Sequence, residues 1–201
     1  MAITRNPANV QPLIDGQVFV SFAEERPTIG LDGTFGSDWD NLGILNDGSK
    51  QGLQRQVERT KTKGLGVGVV AVAAKAGELT GSAEVLEEND STLRIAWPSR
   101  TAPNSDGAAV LIHNAVVARP YVAYVRDLQD GKREIIASRY PAIATMENLD
   151  RGEEVEGKQV DFDFIPGEAG DVFDRLVIDE FDAGTADVEP VMFSASANVG
   201  G

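Results

Sequence analysis

His113 is the only histidine in the chain and cysteine is absent, which bounds the possible chemistry. Without cysteine there is no disulfide, thiolate nucleophile or thiolate metal site. A Ser–His–Asp triad or a zinc site would have to be built on that single imidazole. His113 lies in Ala108-Ala109-Val110-Leu111-Ile112-His113-Asn114-Ala115-Val116-Val117, a strand-like run that favours a structural role for it. Carboxylates are plentiful. Glu87-Glu88, or Asp38 with Asp40, could serve as a glycosidase acid/base pair, which needs two carboxyl groups roughly 5–9.5 Å apart across a cleft. Aromatics, at 6% of the chain, are few for a sugar platform. Asp161-Phe162-Asp163 with Glu168 and Asp171 offers calcium-type oxygen ligands, but their order departs from the helix–loop–helix pattern and both aspartates fall on one strand face. Gly64-Leu65-Gly66-Val67-Gly68 resembles a dinucleotide loop, yet its third glycine is misplaced and no helix opens after it. Glycines that ease close strand packing are the better reading. The expectation is a non-enzymatic protein with no cofactor and no metal.

Charge is more informative. The net charge is −14. Residues 1–145 hold 17 acids and 15 bases, whereas residues 146–201 hold 15 acids against Arg151, Lys158 and Arg175. Such a balance argues against gripping DNA or an anionic membrane, because phosphate affinity rests on clustered Lys and Arg. The acidic half reads either as a solvated surface or as one that must face nucleic acid without sticking to it. Against this background, Lys50 to Lys63 carries Lys50, Arg55, Arg59, Lys61 and Lys63 with Glu58 as its one acid. It lacks the aromatic interleaving of a nucleic-acid site. A solvated loop is one reading. The other is a basic edge that docks on the acidic face of an identical neighbour, a head-to-tail contact that builds rings or filaments.

The elements that would position these groups are mostly strands. At 201 residues the chain suits one domain, residues 1–201. No apolar run approaches the ~20 residues that span a bilayer, and no signal-peptide stretch precedes Asp15, so synthesis in the cytosol is expected. Strand signals fall at Leu13–Phe22, at Val67–Ala74, and at Leu79–Leu86 after a turn-like Ala76-Gly77-Glu78. Tyr121–Arg126 and Glu134–Tyr140 flank Asp130-Gly131, whose positive φ preference makes a hairpin. Gln159–Ile165 alternates with period two, as a half-buried antiparallel strand should, and Leu176–Phe181 closes the series. One short helix is expected from Asp90 to Trp97, capped by Asn89 or Asp90 and stopped by Pro98, with Leu93 and Trp97 as its buried face. About eight strands and one helix predict an all-β sandwich or barrel with a short helical addition. Thr28–Ser37 and Ser99–Gly107 read as irregular, and 183–201 as a flexible C-terminal tail.

Three blocks in fixed order carry a further signal. Trp39-Asp40-Asn41-Leu42-Gly43 runs into Asn46-Asp47-Gly48; the charged segment Gln54 to Lys63 follows; then comes Leu86-Glu87-Glu88-Asn89-Asp90-Ser91-Thr92-Leu93. With the opening Leu13-Ile14-Asp15-Gly16-Gln17-Val18-Phe19-Val20, this order resembles the major tail (tail tube) proteins of long-tailed, non-contractile bacteriophages, over roughly residues 10–182. The resemblance implies a β-sandwich-like tail tube fold with one short α-helix and long assembly loops. It implies homohexameric rings stacked into the tail tube of a virion, assembled in the host cytoplasm. Implied partners are further copies of the chain, the tape-measure protein, and the tail tip and terminator proteins, with DNA passing transiently through an acidic lumen. In that family a long loop after an early strand reaches a neighbouring subunit, and Lys50–Lys63 is the matching segment. Arg55, Arg59, Lys61 and Lys63 thereby become candidate inter-subunit contacts. The alternative is a β-sandwich binding or decoration module on a virion or cell surface, with a carboxylate glycosidase behind it.

Overall fold

The computed structural model describes residues 13–46, 51–64, 68–105, 107–128, 131–146 and 157–179. The expected tail at 183–201 lies outside them. The strands are β1 (Leu13–Ser21), β2 (Asp40–Asn41), β3 (Gly52–Gly64), β4 (Gly68–Val85), β5 (Tyr121–Leu128), β6 (Arg133–Ser138), β7 (Ile143–Thr145), β8 (Lys158–Asp163) and β9 (Phe173–Ile178). One helix, α1 (Asp90–Ala96), follows β4. Two antiparallel sheets face each other: a five-stranded sheet ordered β2-β1-β5-β6-β9 and a four-stranded sheet ordered β3-β4-β8-β7. The fold is therefore the expected all-β, sandwich-like arrangement with one short helix.

Alternation explains the packing. In β8 the inward residues Val160 and Phe162 are buried while Gln159, Asp161 and Asp163 stay exposed. Val18, Val20, Val122 and Tyr124 of the first sheet meet Ala83, Val85, Ala144, Val160 and Phe162 of the second. Tyr124 and Phe162 cross edge-to-face, with ring centroids 6.3 Å apart. Burying a side chain of this class contributes roughly 1.5–3 kcal/mol. A smaller cluster of Trp39, Tyr121, Ala123 and Ala137 covers the other face of the five-stranded sheet, with Phe19 stacked on Phe35. The β5–β6 hairpin forms as expected, and Gly131 adopts φ 77°.

The helix is capped as read. The Asn89 side chain accepts from the Thr92 N–H, and the Thr92 hydroxyl accepts from the Asn89 N–H, a reciprocal capping box. Its buried face is Ser91, Thr92 and Ile95, not Leu93 with Trp97. Trp97 leaves the helical conformation as the C-cap, because the residue before a proline is pushed out of the α region.

Three expectations are corrected. Over its described residues the segment Lys50–Lys63 is not a loop: β3 takes in Gly52 to Lys63 and pairs along its length with β4. Ala76-Gly77-Glu78 is not a turn, since β4 continues unbroken; Arg55 pairs with Leu79 and Val57 with Ala76, so Gln56 faces two residues in a β-bulge. A Cβ on Gly77 would come within 3.2 Å of the Gln56 carbonyl oxygen, which is why glycine sits there. Finally, Ala108–Val117 is not a strand. It is irregular, with Val110, Leu111, Ile112, Val116 and Val117 exposed, and His113 is exposed among them. The short strands β2 and β7 had no sequence signal strong enough to find.

Candidate functional site

The β3–β4 ribbon is the feature that separates this molecule from a plain sandwich. At its base, β4 pairs with β8 from Thr80 to Val85. Beyond Arg55 and Leu79 the ribbon has two strands only, with no third strand beside it among the described residues. Nine residues of β3, Gln56 to Gly64, lie past that point, giving an arm roughly 30 Å long at ~3.3 Å per residue. Gly64 pairs with Gly68 near the tip; residues 65–67 lie outside the described residues.

The base is firmly seated. The Gln51 amide donates to the carbonyls of Gln17 (3.2 Å) and Val125 (3.3 Å), and Arg126 donates to the Gln51 side chain and backbone oxygens. Gly16 leaves the room this needs, because a Cβ there would collide with the Gln51 side chain. Leu53 and Leu79 pack against the core. The outer blocks of the sequence signature clasp each other here. Asn89 Nδ2 donates to the Asn41 and Leu42 carbonyls, the Leu86 N–H to the Ile44 carbonyl, and Asn46 Nδ2 to Glu84 Oε1 at 2.7 Å. The Leu42-Gly43 step needs glycine, with φ 117° at Gly43.

Both bulges add their extra residue to β4, so β3 keeps strict alternation. Leu53, Arg55, Val57, Arg59 and Lys61 therefore continue the core-facing side of the sheet out past the core. Across from them stand Leu79, Ala76, Ala74 and Val72. The structure thus brings Arg55, Arg59 and Lys61 onto one exposed face of the arm, with Val57 (40% exposed) between them. Lys63 pairs with Val69 further along β3, and its side chain lies outside the described residues.

Most described bases of the body are occupied differently. Arg26 pairs with Asp174, Arg139 with Asp171 and Asp174, Arg133 with Asp127. Arg126 and Arg175 share Glu134, Lys158 meets Glu88, and Arg100 meets Asp90. Arg94 stacks on the Phe22 ring at 4.2 Å. Arg55, Arg59 and Lys61 have no carboxylate within 4.0 Å among the described residues.

The other candidates are dispersed. Glu88 holds Lys158, and Glu87 Oε2 accepts from the Ile44 N–H at 3.4 Å. Asp38 and Asp40 are exposed near β2. Asp171 is engaged by Arg139 and by the Tyr140 hydroxyl, and hydrogen bonding from Arg139 holds its carboxyl below the usual range. No group of three or more potential ligands capable of holding a metal occurs among the described residues. Gly16 stood in the opening phrase of the resemblance, but Gln51, which seats the arm, was not singled out in the sequence; no local pattern marks a glutamine that reaches across to two other strands. No helix among the described residues is long and apolar enough to cross a membrane. No protein-family model and no curated protein matches this chain.

Proposed function

We propose that this chain is the self-assembling subunit of a bacteriophage tail tube, forming stacked hexameric rings in the virion tail through which DNA is ejected. The observation that carries the reading is the arm. An isolated two-stranded hairpin is marginally stable in water, and both its edges offer unpaired backbone groups. A ribbon roughly 30 Å long, seated rigidly at its base and exposed beyond it, fits a molecule completed by its neighbours. The exposed aliphatics of Val110–Val117 fit the same picture, since exposed apolar patches mark contact surfaces. Hexameric rings, a tape-measure protein inside, and tip and terminator proteins at the ends follow from the sequence resemblance. The net charge of −14 suits a bore that must offer phosphate no lasting partner, as carboxylates repel it within a Debye length of about 8–10 Å.

Electron microscopy of concentrated protein tests the reading: rings or tubes are expected. A second chain, with residues 56–78 replaced by Asn-Gly, keeps Arg55, Leu79 and the packed base. It is expected to stay folded and monomeric. Discrete particles from the unmodified chain at every concentration would favour a decoration module instead, and tubes from the armless chain would reject the arm's role.

A further inference from the structure

The arm's cationic face has a counterpart on the same molecule that it cannot reach. On the outer side of the four-stranded sheet, Asp161 and Asp163 of β8 border a groove of about 310 Å³, with Gly52, Gln54, Thr80 and Ser82 along its other side. Both aspartates are exposed. Asp161 accepts from Gln159 Nε2 at 2.7 Å, and neither aspartate has a basic partner among the described residues. The groove is open because Gly52 stands opposite Ser82, where a Cβ would strike the Ser82 side chain. The surface is thus an unpartnered sheet face with two carboxylates two residues apart. The arm carries two cations, Arg59 and Lys61, also two residues apart. In extended strands both spacings are about 6.6–6.8 Å.

Within one copy these groups cannot meet. Arg59 pairs with Ala74, six residues along β4 from Thr80, or ~20 Å away on a ribbon that grows out of the groove's own floor. They also face opposite ways: Arg59 and Lys61 continue the core-facing side of the sheet, while Asp161 and Asp163 lie on its outer side. Only another copy can bring them together. Because the contact joins opposite faces of one sheet, it is heterologous and propagates from copy to copy instead of closing a two-fold dimer.

Resting on the self-assembly reading, we infer that the groove between Asp161/Asp163 and Thr80/Ser82 is the receptor for the next copy's arm, with Arg59 and Lys61 as the inserted pair. Charge complementarity and matched spacing select the partner, and the small residue opposite Arg59, Ala74, lets the arm lie close.

Two charge-reversed chains test this, Arg59→Glu/Lys61→Glu and Asp161→Lys/Asp163→Lys. The critical concentration for assembly is read by sedimentation. Each double variant alone should raise it by about tenfold or more, since two attractive contacts become like-charge ones. Their equimolar mixture should restore it, because every arm then meets a groove of opposite sign. A chain carrying all four changes should also assemble. Should a reversal lower the melting temperature, Asp161→Asn/Asp163→Asn gives the same reading with a smaller rise. Double variants that assemble as readily as the unmodified chain, or a mixture no better than its components, would overturn the pairing while leaving self-assembly standing. An unmodified chain that never assembles would overturn both.

Discussion

Tyr124 and Gly81 form the most exacting test of the packing between the two sheets. The Tyr124 ring is fully buried, and its hydroxyl has no hydrogen-bond partner among the described residues. Burial pushes its phenol well above the ordinary value, with Arg126 opposing and Asp161 adding to the effect. An unpaired buried hydroxyl costs about 1–3 kcal/mol. Tyr124→Phe is therefore expected to stabilise the monomer by about 1 kcal/mol, or ~2–4 °C for a chain of this size. The hydroxyl occupies the space that a side chain at Gly81 would need. A Cβ there would lie 2.7 Å from Phe164 Cε2 and 3.3 Å from the Gly52 carbonyl oxygen, with the Tyr124 hydroxyl closer still. Gly81→Ala should then cost about 1–3 kcal/mol as overpacking. In the Tyr124→Phe background the nearest obstacle is gone, so the same change should cost about 1 kcal/mol less. Urea unfolding of the four chains, below the concentration at which they assemble, measures this cycle. Tyr124→Phe destabilising by 1 kcal/mol or more would mean the hydroxyl is satisfied in solution. Strict additivity would mean it does not abut Gly81.

Two further outcomes follow from the clasp and from the ion pairs. Asn89→Ala removes the helix cap and the donors to the Asn41 and Leu42 carbonyls, and should cost about 1–2 kcal/mol in thermal or chemical unfolding. Asn89→Asp keeps the cap without the amide donors and should recover only part, so full recovery would deny the clasp any weight. Asp174 is held below its ordinary value of 3.8, chiefly by the hydrogen bond from Arg26 and then by Arg139. The stabilisation is present above that ordinary value and lost as pH falls through the lower folded one. Asp174→Asn should therefore melt lower than the unmodified chain by a constant gap from neutrality to about pH 4, closing below it. A gap that persists unchanged at pH 2 would refute the ion-pair origin.

Local chemistry made part of this architecture readable in advance. Gly131 supplies a positive φ, Gln159–Phe164 alternates polar and apolar, and Asn89 or Asp90 offers a helix cap with Pro98 as the stop. The arm was harder to read. On β3, Leu53-Gln54-Arg55-Gln56-Val57-Glu58-Arg59-Thr60-Lys61 carries one apolar residue past Leu53, Val57, so hydrophobic periodicity has too little to report, although Val57 and Thr60 are β-branched residues at home in strands. Gly77 was misread because a glycine in an apolar stretch marks either a turn or a bulge, and the opposing strand decides which. Ala108–Val117 erred the other way: its apolar run satisfies a strand pattern but finds no ladder to join among the described residues.

From composition, charge and turn residues alone came the all-β class, the single helix, the cationic segment and the acidic remainder, since these follow from side-chain type and nearest-neighbour geometry. Which strands pair, where the two bulges fall, and that Arg59 and Lys61 lie on the opposite side of the sheet from Asp161 and Asp163 were decided by the folded molecule. Facing depends on register, and register is set by long-range hydrogen bonding and core burial, where a slip of one residue turns every side chain to the other side.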